Sequence, residues 1–384
     1  MSDHKNLNPG WKAWRFDQMA TNVNVRIDIP SESGMEHYVG LEHLDAESLK
    51  IRRWGSPDDV EATKLMFMKG DIIFGRRRAY QRKLGVAAFD GICSAHAMVL
   101  RAKPEVVLPE FLPFFMQSDL FMRRAVEISV GSLSPTINWK TMAAQEFVLP
   151  PLEKQQRTIH FLSAVEDQAE AVLHALTAAT KLRKSIALEE FSRSDYPIVR
   201  MGAVAEIRNG STPRRATDAY WKGDIPWLPT GKVNERVIRA ADEFITEKAL
   251  SECPLALIPA GATLVAMIGE GQTRGRAAML AIDSCINQNF GAVIPGSSLD
   301  PWYLFYLLES NYEALRHWSQ GTNQRALSCG LLKSYPIPVP PLEVQQELVG
   351  QLKDIEAAES RLALRLDMTH EMRRAAHLTA LSME

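Results

Sequence analysis

A Pro-Pro-Leu-Glu-x-Gln-Gln segment occurs twice in this chain, within Val148-Leu149-Pro150-Pro151-Leu152-Glu153-Lys154-Gln155-Gln156-Arg157 and within Pro338-Val339-Pro340-Pro341-Leu342-Glu343-Val344-Gln345-Gln346-Glu347. The copies lie 190 positions apart (340 − 150 = 190), about half of the 384 residues. Proline suits the first turn of a helix, and a glutamate there faces the positive end of the helix dipole. The segment therefore predicts two helix starts and a duplicated chain.

Each copy opens a long stretch with helical periodicity. In residues 152–193, apolar side chains recur at spacings of three and four: Ile159, Leu162, Val165, Ala169, Val172, Leu173, Leu176, Ala179, Leu182 and Ile186. Residues 342–381 repeat the pattern through Leu348, Leu352, Ile355, Ala358, Leu362 and Leu366. A helix of this length extends roughly 60 Å, and its narrow apolar seam needs a partner along that length.

The segments that precede the two helices also correspond to each other. In the first segment, apolar runs predict strands at 36–44, 65–68, 71–74 and 97–100, and a helix at 110–128. In the second, Val199-Arg200-Met201 matches Trp14-Arg15-Phe16, and residues 261–265 match residues 70–74. The chain therefore follows the plan globule, helix, globule, helix.

The predicted fold class is α+β, with two mixed α/β globules joined by two long helices. Because both helices carry narrow seams, we expect them to form an antiparallel coiled coil with a pseudo-twofold internal repeat. The predicted boundaries are 1–150 for the first globule, 151–195 for the first helix, 196–340 for the second globule and 341–384 for the second helix. The alternative is two tandem domains whose helices pack on their own globules.

The composition is that of an ordinary globular protein, with 46% apolar residues, 23% charged residues and a net charge of −2. The chain has no apolar leader and no run of 18 apolar residues, so a cytoplasmic location is expected. Its four cysteines, Cys93, Cys253, Cys285 and Cys329, lack the spacing of metal ligands and are interpreted as buried, reduced thiols. The net charge leaves room for local basic patches.

No catalytic constellation is recognisable in the sequence. The glycine-rich stretch 269–275 lacks the Lys-Ser/Thr pair of a phosphate-binding loop. His43, His96 and His160 are scattered and are interpreted as structural. The sequence therefore predicts a chain without a catalytic residue, a metal ligand or a cofactor of its own.

A dense basic cluster lies between two predicted strands of the first globule. It consists of Arg76, Arg77, Arg78, Tyr80, Gln81, Arg82 and Lys83. Arginine pairs with phosphates or guanine, glutamine reads adenine, and tyrosine contacts phosphate or stacks. Five unpaired cations this close would repel one another, so a polyanionic partner would relieve the repulsion. We predict that this loop binds DNA; the alternative is a solvated surface loop.

The second globule carries a milder version of the same composition. Its candidates are Arg214, Arg215, Lys222, Thr273, Arg274, Arg276, Asn287, Gln288, Asn323 and Gln324. Amides beside charges suit the readout of base edges. Buried amides that hold loops together would look identical, so both interpretations stay open.

Together these features resemble the specificity subunits of type I restriction-modification systems over almost the whole chain. The resemblance is carried by the twin proline segments, by Gly210-Ser211-Thr212-Pro213 with Tyr220-Trp221-Lys222-Gly223-Asp224-Ile225-Pro226-Trp227, and by Tyr38-Val39-Gly40-Leu41-Glu42-His43-Leu44 with Gly70-Asp71-Ile72-Ile73-Phe74-Gly75. It implies that each globule is a target recognition domain reading one half of a bipartite, asymmetric DNA target. The first globule lacks the Gly-Ser-Thr-Pro opening, so unlike half-sites are expected.

The resemblance also implies partners beyond double-stranded DNA. The long helices would dock two modification subunits, which carry S-adenosylmethionine and methylate adenine. Restriction subunits would join to supply translocation and cleavage with ATP and Mg, so that every cofactor belongs to a partner. The main rival is a free-standing, two-headed DNA-binding protein of the repressor kind, and a third possibility is a scaffold whose basic loop binds RNA or an acidic protein.

Overall fold

The computed structural model describes residues 7–46, 48–319 and 325–381. The chain divides into two compact units: unit 1 combines Met1–Leu173 with Leu364–Glu384, and unit 2 is His174–Ala363. Each unit therefore contains one globule together with a part of each long helix.

The first repeat contains ten strands and five helices in its described residues. The strands are β1 (Lys12–Arg15), β2 (Ala20–Val23), β3 (Arg26–Ile27), β4 (Tyr38–Val39), β5 (Lys64–Phe67), β6 (Ile72–Phe74), β7 (Leu84–Val86), β8 (Gly91–Ser94), β9 (Met98–Ala102) and β10 (Glu146–Leu149). The helices are α1 (Phe16–Met19), α2 (Phe111–Gln117), α3 (Asp119–Glu127), α4 (Trp139–Ala143) and α5 (Leu152–Phe191).

The second repeat follows a similar order, with one additional helix, α7, among its strands. Its strands are β11 (Ile198–Arg200), β12 (Ala205–Asn209), β13 (Trp221–Leu228), β14 (Val237–Ile238), β15 (Glu243–Ile245), β16 (Thr263–Ala266), β17 (Ala277–Leu280), β18 (Cys285–Ile286), β19 (Phe290–Pro295) and β20 (Pro336–Pro338). Its helices are α6 (Met201–Val204), α7 (Glu247–Glu252), α8 (Pro301–Ser310), α9 (Tyr312–Trp318), α10 (Cys329–Ser334) and α11 (Leu342–Leu381).

The two globules are built on the same main sheet. The strand order β2-β9-β6-β7 in the first globule corresponds to β12-β19-β16-β17 in the second, where β14 adds a fifth strand. A smaller sheet has the order β3-β5-β8-β4 in the first globule and β15-β13-β18 in the second. Each smaller sheet contains one parallel pair, β4 with β8 or β13 with β18. The predicted internal repeat is therefore present in the topology.

Each globule is closed by a two-stranded antiparallel sheet between its first and last strands. Lys12 of β1 pairs with Leu149 of β10, and Ile198 of β11 pairs with Pro338 of β20. From the last strand the chain passes through the proline pair into a long helix, as predicted. Both α5 and α11 contain 40 residues.

The first glutamine of each repeated segment explains why the segment recurs. Gln155 is 1% exposed, accepts a hydrogen bond from the backbone N–H of Leu108 at 2.9 Å, and donates to the Pro150 carbonyl at 3.0 Å. Gln345 is fully buried and makes the matching bonds to Asp300 and Pro340, both at 2.8 Å. One amide in each repeat therefore ties the start of the long helix to the loop before α2 or α8.

Within each unit the two long helices run antiparallel. In unit 1, residues 154–161 of α5 face residues 372–379 of α11, whereas residues 166–173 of α5 face residues 366–373. In unit 2, Ala187 of α5 packs in the same buried cluster as Leu352 of α11, and Arg183 lies 3.1 Å from Glu359. The helix pairing that the apolar seams predict is therefore confirmed inside each unit.

A partly buried ion pair between the helices is repeated as well. In unit 1, Arg373 of α11 lies 2.8 Å from Glu166 of α5. In unit 2, Arg183 of α5 lies 3.6 Å from Glu356 of α11. Each residue of one pair is the counterpart of a residue in the other, 190 positions away (373 − 183 and 356 − 166). Charged contacts across a helix pair help to fix the register of the two helices.

Two predicted elements of the first globule are wrong in extent. The strand expected at 36–44 is reduced to β4, because His43 folds back and its Nδ1 accepts the Gly40 N–H at 3.0 Å, closing a 3-10 turn. The helix expected at 110–128 is split into α2 and α3 at Ser118. The Ser118 backbone is extended, and its hydroxyl accepts the Phe121 N–H at 3.3 Å, which starts a new helix.

The apolar seam of α5 is narrower than the periodicity predicts. Ile159, Leu162, Val165 and Val172 are buried, but Leu173 and Leu182 are 37% and 53% exposed. Among the residues that the structure describes, no helix has both the length and the apolar character to cross a membrane.

The cysteines are free, as predicted, but only two are buried. Cys93 of β8 and Cys285 of β18 occupy equivalent positions in the smaller sheets, and burial raises their pKa values to about 12 and about 11. Cys253 and Cys329 are half-buried, so the expectation of four buried thiols is wrong for these two.

Candidate nucleic-acid interface

The two basic segments singled out in the sequence occupy the same place in the two globules. Residues 75–83 connect β6 to β7, and residues 267–276 connect β16 to β17. These four strands are equivalent in the repeated main sheet. The candidates therefore belong to one structural position, used twice.

In the first globule, two cations of this connection support neighbouring loops. Arg76 donates to the carbonyl of Ala95, in the turn between β8 and β9, at 2.9 Å. Lys83 donates to the carbonyl of Leu41, in the 3-10 turn after β4, at 2.6 Å. Both side chains are half-buried. They hold three connections together at one end of the globule.

A third cation, Arg82, attaches the connection to the helices. Its guanidinium lies 2.7 Å from the Asp119 carboxylate, at the start of α3, and also donates to the Gln117 carbonyl. The expectation of five unpaired cations is therefore wrong. Their partners lie far away in the sequence but close in the fold, so repulsion within the loop is weaker than composition implies.

Arg78, Tyr80 and Arg77 form the accessible part of the connection. Arg78 is exposed and has a left-handed backbone, with φ of 57°, and Tyr80 is 55% exposed. Arg77 is half-buried and lies 3.2 Å from the Ser134 hydroxyl and 3.4 Å from Nε2 of His96. Gln81 is half-buried in the adjacent 3-10 turn.

His96 also belongs to this surface. Its side chain is exposed in the turn between β8 and β9 and contacts Arg77. Partial burial and then the positive charges of Arg77, Arg76 and Lys64 lower the pKa of His96. Burial and the neighbouring cations therefore both disfavour the protonated form of this imidazole.

Sequence reasoning missed Lys64, at the start of β5. It is 6% exposed, its Nζ lies 5.7 Å from the centre of the Tyr38 ring, and burial lowers its pKa. No local pattern marks a strand lysine as buried. Tyr38 of β4 comes near Lys64 only because β8 pairs with both β4 and β5, which cannot be known before the topology is.

In the second globule, the Gly-Ser-Thr-Pro loop lies against the turn between β18 and β19. The Thr212 hydroxyl donates to Oε1 of Gln288 at 2.6 Å, and the Trp227 indole donates to the Ser211 carbonyl at 3.0 Å. Gln288 is exposed. Asn287 is 8% exposed and accepts the Thr230 hydroxyl at 3.0 Å, so this amide holds loops together.

Arg215 is stacked beside the same loop. Its guanidinium lies 4.0 Å from the centre of the Trp221 ring and 4.8 Å from that of Trp227, and it pairs with Glu243. Arg214 and Lys222 are exposed, and Lys222 has a left-handed backbone with φ of 64°. Among the candidate residues of this globule, the exposed cations therefore lie on or next to the Gly-Ser-Thr-Pro loop.

The connection between β16 and β17 has an exposed tip at residues 268–272, but its two arginines are bonded to other parts of the globule. Arg274 is 6% exposed and donates to the Arg325 carbonyl at 2.6 Å. Arg276 donates to Oδ1 of Asn234 at 2.6 Å, and Thr273 is half-buried. For Arg274 the prediction of an accessible DNA contact is wrong. Its guanidinium is buried in the globule and donates to a backbone carbonyl that is distant in sequence.

Two remaining candidates, Asn323 and Gln324, lie outside the described residues. Within the described part of the chain, no group of three or more histidine, cysteine, aspartate or glutamate side chains is placed to hold a metal ion. The candidate site is thus a pair of polar loop surfaces, one on each globule.

Comparison with known proteins decides the family. The sequence model described as "Type I restriction modification DNA specificity domain" matches residues 58–178 and 193–363, well over half of the chain. The chain belongs to this family. The family is matched twice, once for each globule and the helix that follows it, which agrees with the internal repeat.

One curated relative is the type I restriction enzyme MjaIX specificity subunit of Methanocaldococcus jannaschii. It is 32% identical over 163 residues, which cover 41% of this chain and 37% of the relative. The chain thus matches well under two thirds of the length of this family member.

Solved structures of the family share the whole fold. A chain from a structure titled as the basis of complex assembly and conformational transition of the type I R-M system has a TM-score of 0.66 at 20% identity, covering 98% of both chains. The S subunit of a type I restriction-modification system from M. genitalium has a TM-score of 0.60 at 14% identity, covering 100% of this chain and 98% of that one. These likenesses confirm the predicted fold class.

Proposed function

We propose that this chain is the DNA sequence-recognition subunit of a type I restriction-modification complex and reads a bipartite, asymmetric target. The observation that carries the proposal is a fold present twice with unlike side chains on equivalent loops. A duplicated reader with identical surfaces would suit a symmetric target, whereas unlike surfaces suit unlike half-sites. Family membership favours this function over a free-standing repressor or a scaffold.

The accessible residues of each globule support different modes of contact. Arg77, Arg78 and Tyr80 of the first globule can contact phosphates or guanine. In the second globule, Gln288 sits on a loop fixed by Thr212, and an amide held in this way can read adenine. Arg214 and Lys222 beside it can contact phosphates. The proposed site residues are therefore a subset of the sequence candidates.

The proposal assigns chemistry and cofactors to other subunits. Two modification subunits would bring S-adenosylmethionine and methylate adenine, and restriction subunits would use ATP and Mg to translocate and cleave. The long helices would provide their docking surface. With 44 basic and 46 acidic residues, this chain lacks the overall positive charge typical of a lone DNA-binding protein, so partners would supply further phosphate contacts. Its place of action would be the cytoplasm, where the DNA is.

The proposal is tested by mapping methylated adenines. The chain is co-expressed with its modification subunit in a host that lacks other methyltransferases, and the genomic DNA is sequenced for N6-methyladenine. The expected result is one split, non-palindromic motif that disappears when this chain is omitted. Methylation by the modification subunit alone, or a palindromic motif, would contradict the proposal. Methyl transfer by the purified chain alone would contradict its non-catalytic assignment.

A further inference from the structure

The two most exposed large apolar side chains of the described residues lie in one loop. Leu133 is 89% exposed and Val130 is 78% exposed. Both belong to the segment between α3 and α4 of the first globule. Single exposed apolar residues are common, but two neighbours this exposed call for a specific explanation.

This loop is held in place by hydrogen bonds and not left loose. Val130 and Thr136 exchange two backbone hydrogen bonds, of 3.0 and 2.9 Å, across its base. Gly131 makes the turn between them with φ of 117°, a conformation that side chains rarely adopt. Leu133 therefore sits at the tip of a tight, closed loop.

The same loop is attached to the basic connection between β6 and β7. The Arg78 N–H donates to the Pro135 carbonyl at 2.8 Å, the Ile137 N–H donates to the Arg76 carbonyl at 3.1 Å, and Arg77 donates to the Ser134 hydroxyl at 3.2 Å. The apolar tip and the accessible cations therefore form one rigid surface.

The exposed Leu133 next to accessible arginines favours one kind of binding partner over another. An apolar protein partner would have to bury Arg78 together with Leu133, and a buried unpaired cation is unfavourable. A DNA duplex offers phosphates for the cations and a base stack for the apolar side chain. Proteins that kink DNA insert leucine, isoleucine or phenylalanine between base pairs in this way, with basic residues beside the wedge.

We propose that Leu133 is a wedge that enters the base stack at the half-site read by the first globule. Val130 shields the base of the wedge, and Arg77 and Arg78 contact the flanking phosphates. The local opening of the stack would make recognition depend on how easily the base step deforms. This inference rests on the proposed function and adds a residue and a mode of recognition to it.

The test uses the assembled complex of this chain with its modification subunits. Its DNA carries 2-aminopurine at successive positions of the first half-site, since this base brightens when it unstacks. We expect one bright position with the unaltered complex, and loss of that signal together with roughly tenfold weaker binding for Leu133→Ala, because the buried apolar contact is removed. Leu133→Met should retain both, since methionine also serves as a wedge.

Met68→Ala is the matched control. Met68 is 44% exposed and lies in the turn that enters β6, whereas the basic connection leaves that strand. It should behave like the unaltered complex. Equal fluorescence and affinity for Leu133→Ala and the unaltered complex would overturn the wedge, as would a Leu133→Ala defect confined to assembly with modification subunits. An unaltered complex without sequence-specific binding would instead overturn the proposed function.

Discussion

The two globules share the same main sheet but differ at one equivalent connection, between β6 and β7 in the first globule and between β16 and β17 in the second. Between β6 and β7, the first globule presents Arg78 and Tyr80 to solvent. Between β16 and β17, the second globule buries Arg274 at 6% exposure, and its exposed candidate cations, such as Arg214 and Lys222, lie outside this connection. The same topological position therefore presents an arginine to solvent in one repeat and buries an arginine in the other. Duplication conserves the frame and leaves the loops free to diverge.

The largest expected effect tests whether the repeated glutamine stabilises both globules equally. Gln155→Ala should lower the free energy of unfolding by about 3 kcal/mol, because it removes the three hydrogen bonds of a buried amide and leaves their backbone partners unsatisfied. Gln345→Ala should produce a similar loss, since its amide makes the same set of bonds. Urea unfolding of both variants measures this. Clearly unequal losses would mean that the repeated segments do not have the same role.

The repeated ion pair gives a second comparison. Arg373→Ala leaves Glu166, whose side chain is 12% exposed, without its charged partner, and should destabilise unit 1 by about 3 kcal/mol. Arg183→Ala should destabilise unit 2 by less, because Glu356 keeps its ion pair with Arg236 and only Glu359 loses its charged partner.

The exchanged pair Glu166→Arg with Arg373→Glu is the control for this prediction. It should recover most of the lost stability, because the opposite charges again face each other. Thermal unfolding of the single and double variants measures the recovery. If the exchanged pair were as unstable as Arg373→Ala, packing of the arginine stem would matter more than the charge contact.

Much of the fold could be predicted from the sequence, because the long helices and the internal repeat depend on local patterns. Proline pairs, helical spacing and the 190-residue repeat indicate α5, α11 and the order of globules. Ser118 and His43 escaped prediction since a single side-chain hydrogen bond to the backbone ends or restarts an element there. Such a bond competes with regular structure without changing the apolar pattern.

The candidate site was less predictable, because a loop cation takes its role from a partner that is distant in sequence. Arg82 meets Asp119 and Arg274 meets the Arg325 carbonyl, and neither partner can be read from the loop itself. Composition correctly places arginines in both connections. It cannot tell Arg78, which faces solvent, from Arg274, which does not.

A matched pair of variants tests this difference directly. Arg274→Ala should lower the free energy of unfolding by about 2 kcal/mol, because the Arg325 carbonyl loses a buried charged donor. Arg78→Ala should change stability by less than about 0.5 kcal/mol, since its side chain is exposed. Instead, it should reduce the salt dependence of DNA binding by the assembled complex by about one unit of slope, because one phosphate contact is lost. Arg78→Ala with an unchanged slope would return this residue to a solvated surface.

The smallest expected effect is a pH dependence found only in the first globule. Burial and the charges of Arg77, Arg76 and Lys64 lower the pKa of His96 in the free protein. Phosphates placed on Arg77 would offset this repulsion and raise that pKa, so binding would take up a proton. Affinity should therefore increase as the pH falls through the window below the ordinary histidine value of about 6.5, by less than about tenfold.

Stability should change in the opposite direction over the same window. A histidine whose pKa is lowered by folding binds protons more readily when the chain is unfolded, so the folded state loses stability as the pH falls below the ordinary value. His96→Gln should flatten both trends while keeping a polar side chain beside Arg77. Binding by the assembled complex and urea unfolding, each measured across this pH range, provide the check. A pH-dependent affinity that survives His96→Gln would place the titrating group elsewhere, and the first globule would then resemble the second in lacking a proton-linked contact at this turn.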